Sequence, residues 1–363
     1  MSEFLDKATE YRVYTTESIE ELDKIVADCN DKDLLRIMGT HSGAFHTDEV
    51  TACAILSLLP EFSNSIIVRS RSPAVWKETY ILCDVGGEYN EENRRFDHHM
   101  KEFTYTFNSE LNIKMSSAGL VYKHYGRQII AEVLKRWKLF EKYEEYMDLI
   151  YKRIYENLIA YIDGMDNGVS RYPKDVEAKY KNNTSLNNRI TRVNPLWDDE
   201  SGNKGQSECF TKALKIAEDE FLWQLYGIVR AFLPGYDIVK QSVLNRFNIH
   251  ESGRIVYLVK SCAWKEHLHD LEKELGLTSE NNILFVIYKA DYDHRVQTVA
   301  LTPGSFDFRK GLLKEWRGIE KEELKTLSGL EDIVFVHSAG FIGGAISFEN
   351  SLKMAERSII EDK

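Results

Sequence analysis

Short apolar runs that stop at polar or glycine residues mark the first part of the chain. Leu34 to Thr40, Ile66 to Arg71 and Tyr80 to Val85 each read as a strand. Between the first two, Asp48 to Leu59 carries apolar and small residues at helical spacing behind an acidic start, which predicts a strand–helix–strand unit with parallel strands. Ser116 and Ser117 are good caps for a second helix running towards Trp137. A third helix is expected from about Glu141 to Asp166. Met147, Ile150, Tyr151, Ile154, Leu158 and Ile162 form its apolar stripe and Gly168 its stop.

The pattern turns polar from Lys174 to about Gln206, which reads as a partly extended insert or connection. Helical spacing returns from Cys209 to Arg230 and around Ile238 to Phe247. A second α/β block follows, with strands expected at Ile255 to Lys260, Ile283 to Lys289, Val296 to Leu301 and Ile333 to His337. Helices are expected from Trp264 to Leu275, around Lys310 to Trp316 and beyond Gly344. The expected organisation is an α/β protein with a parallel-sheet domain over residues 36–205, a helical connector over 206–250 and a smaller α/β domain over 251–350. An N-terminal extension (1–35) and a C-terminal tail (351–363) flank these parts. Within the extension, Ile19, Leu22, Ile25 and Val26 suggest a short amphipathic helix that packs on the body or on a partner.

Composition narrows the function classes. The longest apolar stretch, Ala52 to Leu59, is too short to span a bilayer, so no membrane segment is expected. The acidic start of the chain argues against a mitochondrial leader. Five scattered cysteines lack the paired spacing of a zinc site and suit a reducing compartment. A formal net charge of -11 excludes a protein that coats nucleic acid non-specifically. It does not exclude an enzyme that holds an anionic substrate through cations and a local basic patch.

Four clusters carry candidate chemistry, each near a predicted strand or helix end. In Gly39-Thr-His-Ser-Gly-Ala-Phe-His-Thr-Asp-Glu49, His41, His46 and Asp48 crowd the turn between the first strand and helix. Imidazole and carboxylate together suit a borderline cation, although Asp48 and Glu49 could equally complement the helix dipole. Asp84-Val-Gly-Gly87 ends the third strand and leaves room for a ligand beside the backbone. In Phe96-Asp-His-His99, adjacent residues of an extended segment point opposite ways, so one histidine can bind metal while its neighbour faces substrate. Asp163 and Asp166, in Asp163-Gly-Met-Asp-Asn-Gly168, share a helix face at a C-terminus, where the dipole disfavours them unless a cation or a bend offsets it. Two cations about 3.5–4 Å apart among such donors would bridge a water, lower its pKa and promote in-line attack on phosphorus.

In their order along the chain, these motifs resemble the DHH phosphoesterase superfamily, whose name describes Asp97-His98-His99 here, and within it the MYG family of nucleases. Ser116-Ser-Ala-Gly-Leu-Val-Tyr122, Asn194-Pro-Leu-Trp197 and Phe335-Val-His-Ser-Ala-Gly-Phe-Ile-Gly-Gly344 continue the match, which spans roughly residues 36–350. The resemblance implies a DHH catalytic domain, a smaller substrate domain, two manganese or magnesium ions and 3′-to-5′ exonuclease activity on single-stranded RNA or DNA. It also implies a nuclear or mitochondrial setting, with cytosol or nucleus favoured by the missing leader signal. Asp97, His98 and His99 would be catalytic. His41, His46, Asp48, Asp84 and His98 would hold metal together with Asp163 or Asp166, Asp163 preferred. The superfamily's first motif has two aspartates after its histidine. Here His46 takes the place of the first, which moves the expected metal preference away from magnesium.

His99, His337, Gly340, Gly343, Gly344 and Arg309 would meet substrate, the glycines as an exposed turn between a strand and a helix N-terminus. Arg69, Arg71, Arg94, Arg95 and Lys101, with Tyr105 or Phe107, flank the catalytic motifs but read first as surface charge and core aromatics. The alternative functions are a phosphoesterase of pyrophosphate or short oligonucleotides and a catalytically silent binding module.

Overall fold

The computed structural model describes residues 9–29, 35–109, 111–173 and 175–360. The chain divides into two compact units, Met1–Tyr226 and Gly227–Lys363, and both are α/β.

The first unit is built on a six-stranded sheet in the order β1-β3-β2-β4-β6-β5. Its strands are β1 (Val13–Thr15), β2 (Ile37–Thr40), β3 (Ile66–Arg69), β4 (Ile81–Cys83), β5 (Tyr89–Asn90) and β6 (Arg95–Phe96). All neighbours are parallel except β5 and β6. From β2 the chain crosses to β3 on one side and then to β4 on the other. Such a reversal of strand order opens a crevice at the carboxyl ends of the strands. Leu34, with which the sequence opens β2, lies outside the described residues.

Residues 9–29 are part of this unit. The sequence pattern does not reveal β1, whose three residues are too few to show a period, yet it forms the edge of the sheet beside β3. The expected amphipathic helix follows as α1 (Ile19–Ala27), started by Ser18, whose side chain accepts from the Glu21 amide. Its Leu22 is buried with Cys29, Ile66, Val68 and Val75. The segment read as an extension therefore completes the sheet.

Helix α2 (Thr47–Leu56) is buried on every side, so behind its polar first turn small and apolar residues occupy all faces rather than one stripe. Helix α3 (Ser117–Arg136) is capped by Ser116 and packs against α2. The expected long helix is interrupted: α4 (Met147–Ile154) leads through a π-helical turn, Tyr155–Ile159, into α5 (Ala160–Asp166). Within the polar stretch lies α6 (Leu186–Thr191), capped by Ser185. Helix α7 (Gly202–Gly227) sends Phe210 against Phe45 and Phe221 against Tyr122.

In the second unit, α8 (Leu233–Leu244) packs Val239 and Val243 on Val256, Leu258, Trp264 and Leu268. The stretch read as one connector is thus divided, because α7 and α8 bury their apolar residues in different cores. The sheet is mixed, in the order β10-β11-β9-β8-β7. It comprises β7 (Ile255–Leu258), β8 (Phe285–Lys289), β9 (His294–Thr298), β10 (Ile333–Val336) and β11 (Ile342–Ala345), with only β7 and β8 parallel. Helices α9 (Trp264–Glu274), α10 (Lys321–Ser328) and α11 (Phe348–Ile360) accompany it. The helix expected near Lys310 is a single 3-10 turn, Lys314–Trp316. Met354 and Ala355 of α11 are buried in the core, so the segment read as a tail belongs to the unit.

Gly39 marks how tightly the first sheet is packed. A Cβ there would lie 2.5 Å from Thr79 Cγ2 and 2.8 Å from Leu82 Cδ1. Gly39→Val is expected to cost ~1–3 kcal/mol by overpacking, read from the urea midpoint of the metal-free protein.

Candidate metal centre

Three adjacent parallel strands end at one place. Strand β2 delivers His41, β4 delivers Asp84, and β6 delivers Asp97, His98 and His99. Parallel strands align their carboxyl ends, so residues far apart in sequence converge without any loop reaching across. Helix α2 adds Asp48 and Glu49 from its first turn, with His46 as the residue before it. Helix α5 adds Asp166 at its end.

Three overlapping groups result: His41, His46, Glu49 and Asp84; Asp84, His98 and His99; and Asp48, His98 and Asp166. Within each, the donor atoms all lie within 4.8 Å of one another. His41 Nε2 is 3.2 Å from Glu49 Oε1 and 3.3 Å from Asp84 Oδ2. His98 Nε2 is 3.2 Å from Asp84 Oδ1 and 3.1 Å from Asp166 Oδ2. Neighbouring ligands of a small octahedral cation, at about 2.1 Å from it, are separated by about 3.0 Å. The observed spacings are of that size.

Two further observations fit a cation. Both carboxylate oxygens of Asp48 and Nδ1 of His98 are buried without a hydrogen-bond partner, and His98 Nε2 makes no aligned hydrogen bond despite its two carboxylate neighbours. Leaving buried polar atoms unpaired costs about 1–3 kcal/mol each, more when they are charged. Without a cation the carboxylates also repel. Burial first, then Asp84, Asp166 and Glu49, push Asp48 well above the usual carboxylate range. Burial opposes the charged form of His41, but the Asp84 and Glu49 carboxylates outweigh it and hold the imidazole up to about 10. A divalent charge would relieve both the repulsion and the orphaned atoms.

The backbone is shaped for the purpose. Asp84 sits at φ 63, the left-handed region that an aspartate tolerates better than most residues, and Gly86 and Gly87 continue the turn at φ 106 and 70. Asp97 belongs to none of the three donor groups, and its carboxylate is engaged by their histidines and by the glycine turn. Its Oδ1 accepts from the His98 amide at 2.7 Å, the His99 amide at 3.1 Å and His99 Nδ1 at 2.8 Å, and its Oδ2 accepts from the Gly87 amide at 2.6 Å. It thereby fixes both histidines and ties β6 to the Asp84 turn. The hydrogen bond to Asp97 raises the pKa of His99, whose side chain is 64% exposed. His99 borders a polar cavity of about 410 Å³ shared with His46, Asp48, His98, Lys114, Asp166 and Asn187.

The sequence preference for Asp163 over Asp166 reverses here. Asp163 Oδ1 accepts from the Ser116 amide and hydroxyl at 2.9 and 2.7 Å, and Oδ2 from Tyr155 Oη at 2.7 Å. Burial pushes its pKa up to about 6. It is a fully buried brace for the start of α3, one turn behind the donors, whereas Asp166 joins them. Glu49 is the residue that sequence reasoning passed over as a dipole partner. Its carboxylate accepts from the His46 amide at 2.8 and 3.0 Å and also faces His41. Its position three residues after the turn was the available signal.

The second-unit candidates do not form the expected loop. Gly343 and Gly344 lie inside β11, paired with β10 and β9, and only Gly340 occupies the turn, at φ 76. A Cβ on Gly343 would meet Leu312, Met354 and the Phe335 carbonyl at 2.9 Å, so this glycine serves close packing. His337 begins the turn, its ring nitrogen accepting from the Ala339 amide at 3.1 Å. Arg309 donates to Glu272 Oε1 at 2.7 Å and Oε2 at 2.8 Å and to the Ile283 carbonyl at 2.8 Å. Its guanidinium is a structural clasp. Of the flanking residues, Arg69 is buried and Phe107 stacks on Tyr155 at 3.5 Å between ring centroids, while Tyr105 is exposed.

A family profile described as "Uncharacterised protein family (UPF0160)" and labelled MYG1_exonuc matches residues 37–359. The chain belongs to the MYG1 family. It is 40% identical over 331 residues to a MYG1 exonuclease of Mus musculus, covering 89% of this chain and 85% of the relative. It is 39% identical over 321 residues to a MYG1 protein of Dictyostelium discoideum, covering 88% and 95%. A MYG1 protein of Saccharomyces cerevisiae is 39% identical over 326 residues, covering 88% and 94%. The metal-centre motifs of this MYG1-family chain all fall within the matched region. No helix among its described residues is long and apolar enough to cross a membrane.

The two late aspartates should separate by experiment. Asp166→Asn is expected to weaken Mn2+ binding and leave the metal-free urea midpoint almost unchanged. Asp163→Ala strands three buried donors and is expected to cost on the order of 3 kcal/mol in that midpoint.

Proposed function

We propose that this chain is a metal-dependent phosphodiesterase, a 3′-to-5′ exonuclease on single-stranded RNA or DNA that uses two divalent ions, manganese or magnesium. The observation that carries this reading is the convergence of three donor groups chained by shared residues, Asp84 joining the first to the second and His98 the second to the third. Shared donors suit two neighbouring ions better than one. His41, His46, Glu49 and Asp84 would hold the first, and Asp48, His98 and Asp166, with Asp84, the second. Ions bound there would supply a low-pKa water and neutralise the non-bridging oxygens of the phosphate.

The remaining groups have roles of their own. Asp97 holds the His99 ring towards the cavity, where its Nε2 edge can donate to a phosphate oxygen. Lys114 lines the same cavity and brings positive charge to it, and Asn187 a neutral amide. The buried floor of α2 and α3 keeps bulk water from the donors. Relatives named exonucleases support the nuclease reading, while the 3′ polarity and the single-stranded preference rest on the family resemblance. A cytosolic, nuclear or mitochondrial setting is compatible with this chemistry.

The test is a 5′-labelled single-stranded RNA incubated with Mn2+. Stepwise shortening from the 3′ end is expected, lost on chelation and restored by added Mn2+. Asp84→Asn keeps the side-chain shape and a residue type that tolerates the left-handed turn. It should bring turnover down to the chelated background, as should His98→Ala. Intact RNA across Mn2+, Mg2+ and Co2+, with cleavage of pyrophosphate or a dinucleotide, would replace this reading with a small-substrate phosphoesterase. No cleavage of any of these would leave a binding protein.

A further inference from the structure

The Asn194-Pro-Leu-Trp197 motif lies outside the donor groups, and its first residue reaches the loop that carries them. Asn194 Oδ1 accepts from the Phe45 amide at 2.8 Å, and Asn194 Nδ2 donates to the Phe45 carbonyl at 3.0 Å. One side-chain amide thus closes both main-chain polar groups of the residue immediately before His46. Only a group with a donor and an acceptor on one planar end can do this, which restricts the choice to asparagine or glutamine. Asn194 Nδ2 also reaches the Thr191 carbonyl at 3.3 Å, which anchors it to the end of α6.

The loop has few other restraints at that point. The Phe45 ring is buried, edge-on to Phe210 at 5.4 Å between centroids. Arg69 Nη2 donates to the Gly43 carbonyl at 2.6 Å. Thr47 Oγ1 donates to Asn187 Oδ1 at 2.9 Å, and Gln206 Oε1 accepts from the Gly43 amide at 3.3 Å. Asn187 and Asn194 come from the polar stretch between α5 and α7, and Gln206 from the first turns of α7. Of these, Asn194 alone grips the backbone next to His46, whose own amide is held by Glu49.

We infer that Asn194 is a positioning residue for the metal centre, acting through the Phe45 backbone on the direction of the His46 ring. The inference rests on the metal-centre reading. Groups that hydrogen-bond a ligand directly typically govern roughly 10–100-fold in metal affinity, and Asn194 acts one residue away through the Phe45 backbone.

The experiment measures Mn2+ affinity of metal-free protein by the electron paramagnetic resonance signal of free Mn2+, with circular dichroism confirming the fold. Asn194→Ala is expected to weaken binding roughly 10-fold, the lower end of what direct ligand partners govern. Asn194→Asp keeps shape and acceptor but sets a carboxylate against the Phe45 carbonyl, so it should lose at least as much. In a His46→Ala background, adding Asn194→Ala should cost nothing further, because interacting residues are non-additive. Wild-type affinity in either single variant would overturn the inference. So would an equal loss in both backgrounds, which would make Asn194 a general structural support. If the wild-type protein binds no Mn2+, the metal-centre reading itself fails, and that result is distinct from the other two.

Discussion

Mutual repulsion among Asp48, Glu49, Asp84 and Asp166 is the constraint around which the first unit is organised. Four acidic groups gathered with four imidazoles beside the ends of β2, β4 and β6 would disperse in a flexible chain. They remain together because each is fixed to an element that is itself buried. Helix α2 is enclosed on all sides, β4 lies between two parallel neighbours, and Asp163 locks the start of α3 beneath them. The fold supplies the cost of bringing like charges together in advance, and cations can then recover it as binding energy. A site of this type gains affinity from rigidity as well as from charge.

The layers around the donors divide the work. His46, Asp48, His98, His99 and Asp166 line the cavity, and other groups stand behind the donors without meeting it. Asp97 satisfies three backbone amides and one ring nitrogen, Asp163 satisfies three donors, and Asn194 closes both polar groups of Phe45. Acidic residues therefore occur in two populations of opposite purpose, some with carboxylate oxygens left open and others with both oxygens engaged by hydrogen-bond donors. Composition and motif order do not separate these populations, because both use aspartate at the ends of regular elements.

That distinction explains what could be read from the sequence. Parallel strands ending at His41 and Asp84 were legible from apolar runs followed by glycine-rich turns, and the second helix from Ser116. Residues 13–15 were not, since three residues carry no usable period. The choice between Asp163 and Asp166 depended on where a helix is interrupted, and the π turn has no clear signature in the pattern. In the second unit, Gly343 and Gly344 looked like an exposed turn because glycine serves both conformational freedom and close approach. Only the neighbours, Leu312, Met354 and Phe335, reveal which. Arg309 looked available because sequence does not show that Glu272, on α9, faces it.

The π turn at Tyr155–Ile159 carries one residue more than a regular helical turn would. An α-helix advances about 100° per residue, so that single insertion sets the azimuth of everything after it. Tyr155, at its start, bonds Asp163, eight positions later. Asp166 then falls on the side where the histidines stand. The helix works as a dial turned by one notch, and any length change between Tyr155 and Asp163 would rotate the brace and the candidate donor together out of register. Tolerance to insertion or deletion should therefore be lowest in a segment that contributes no donor atom at all.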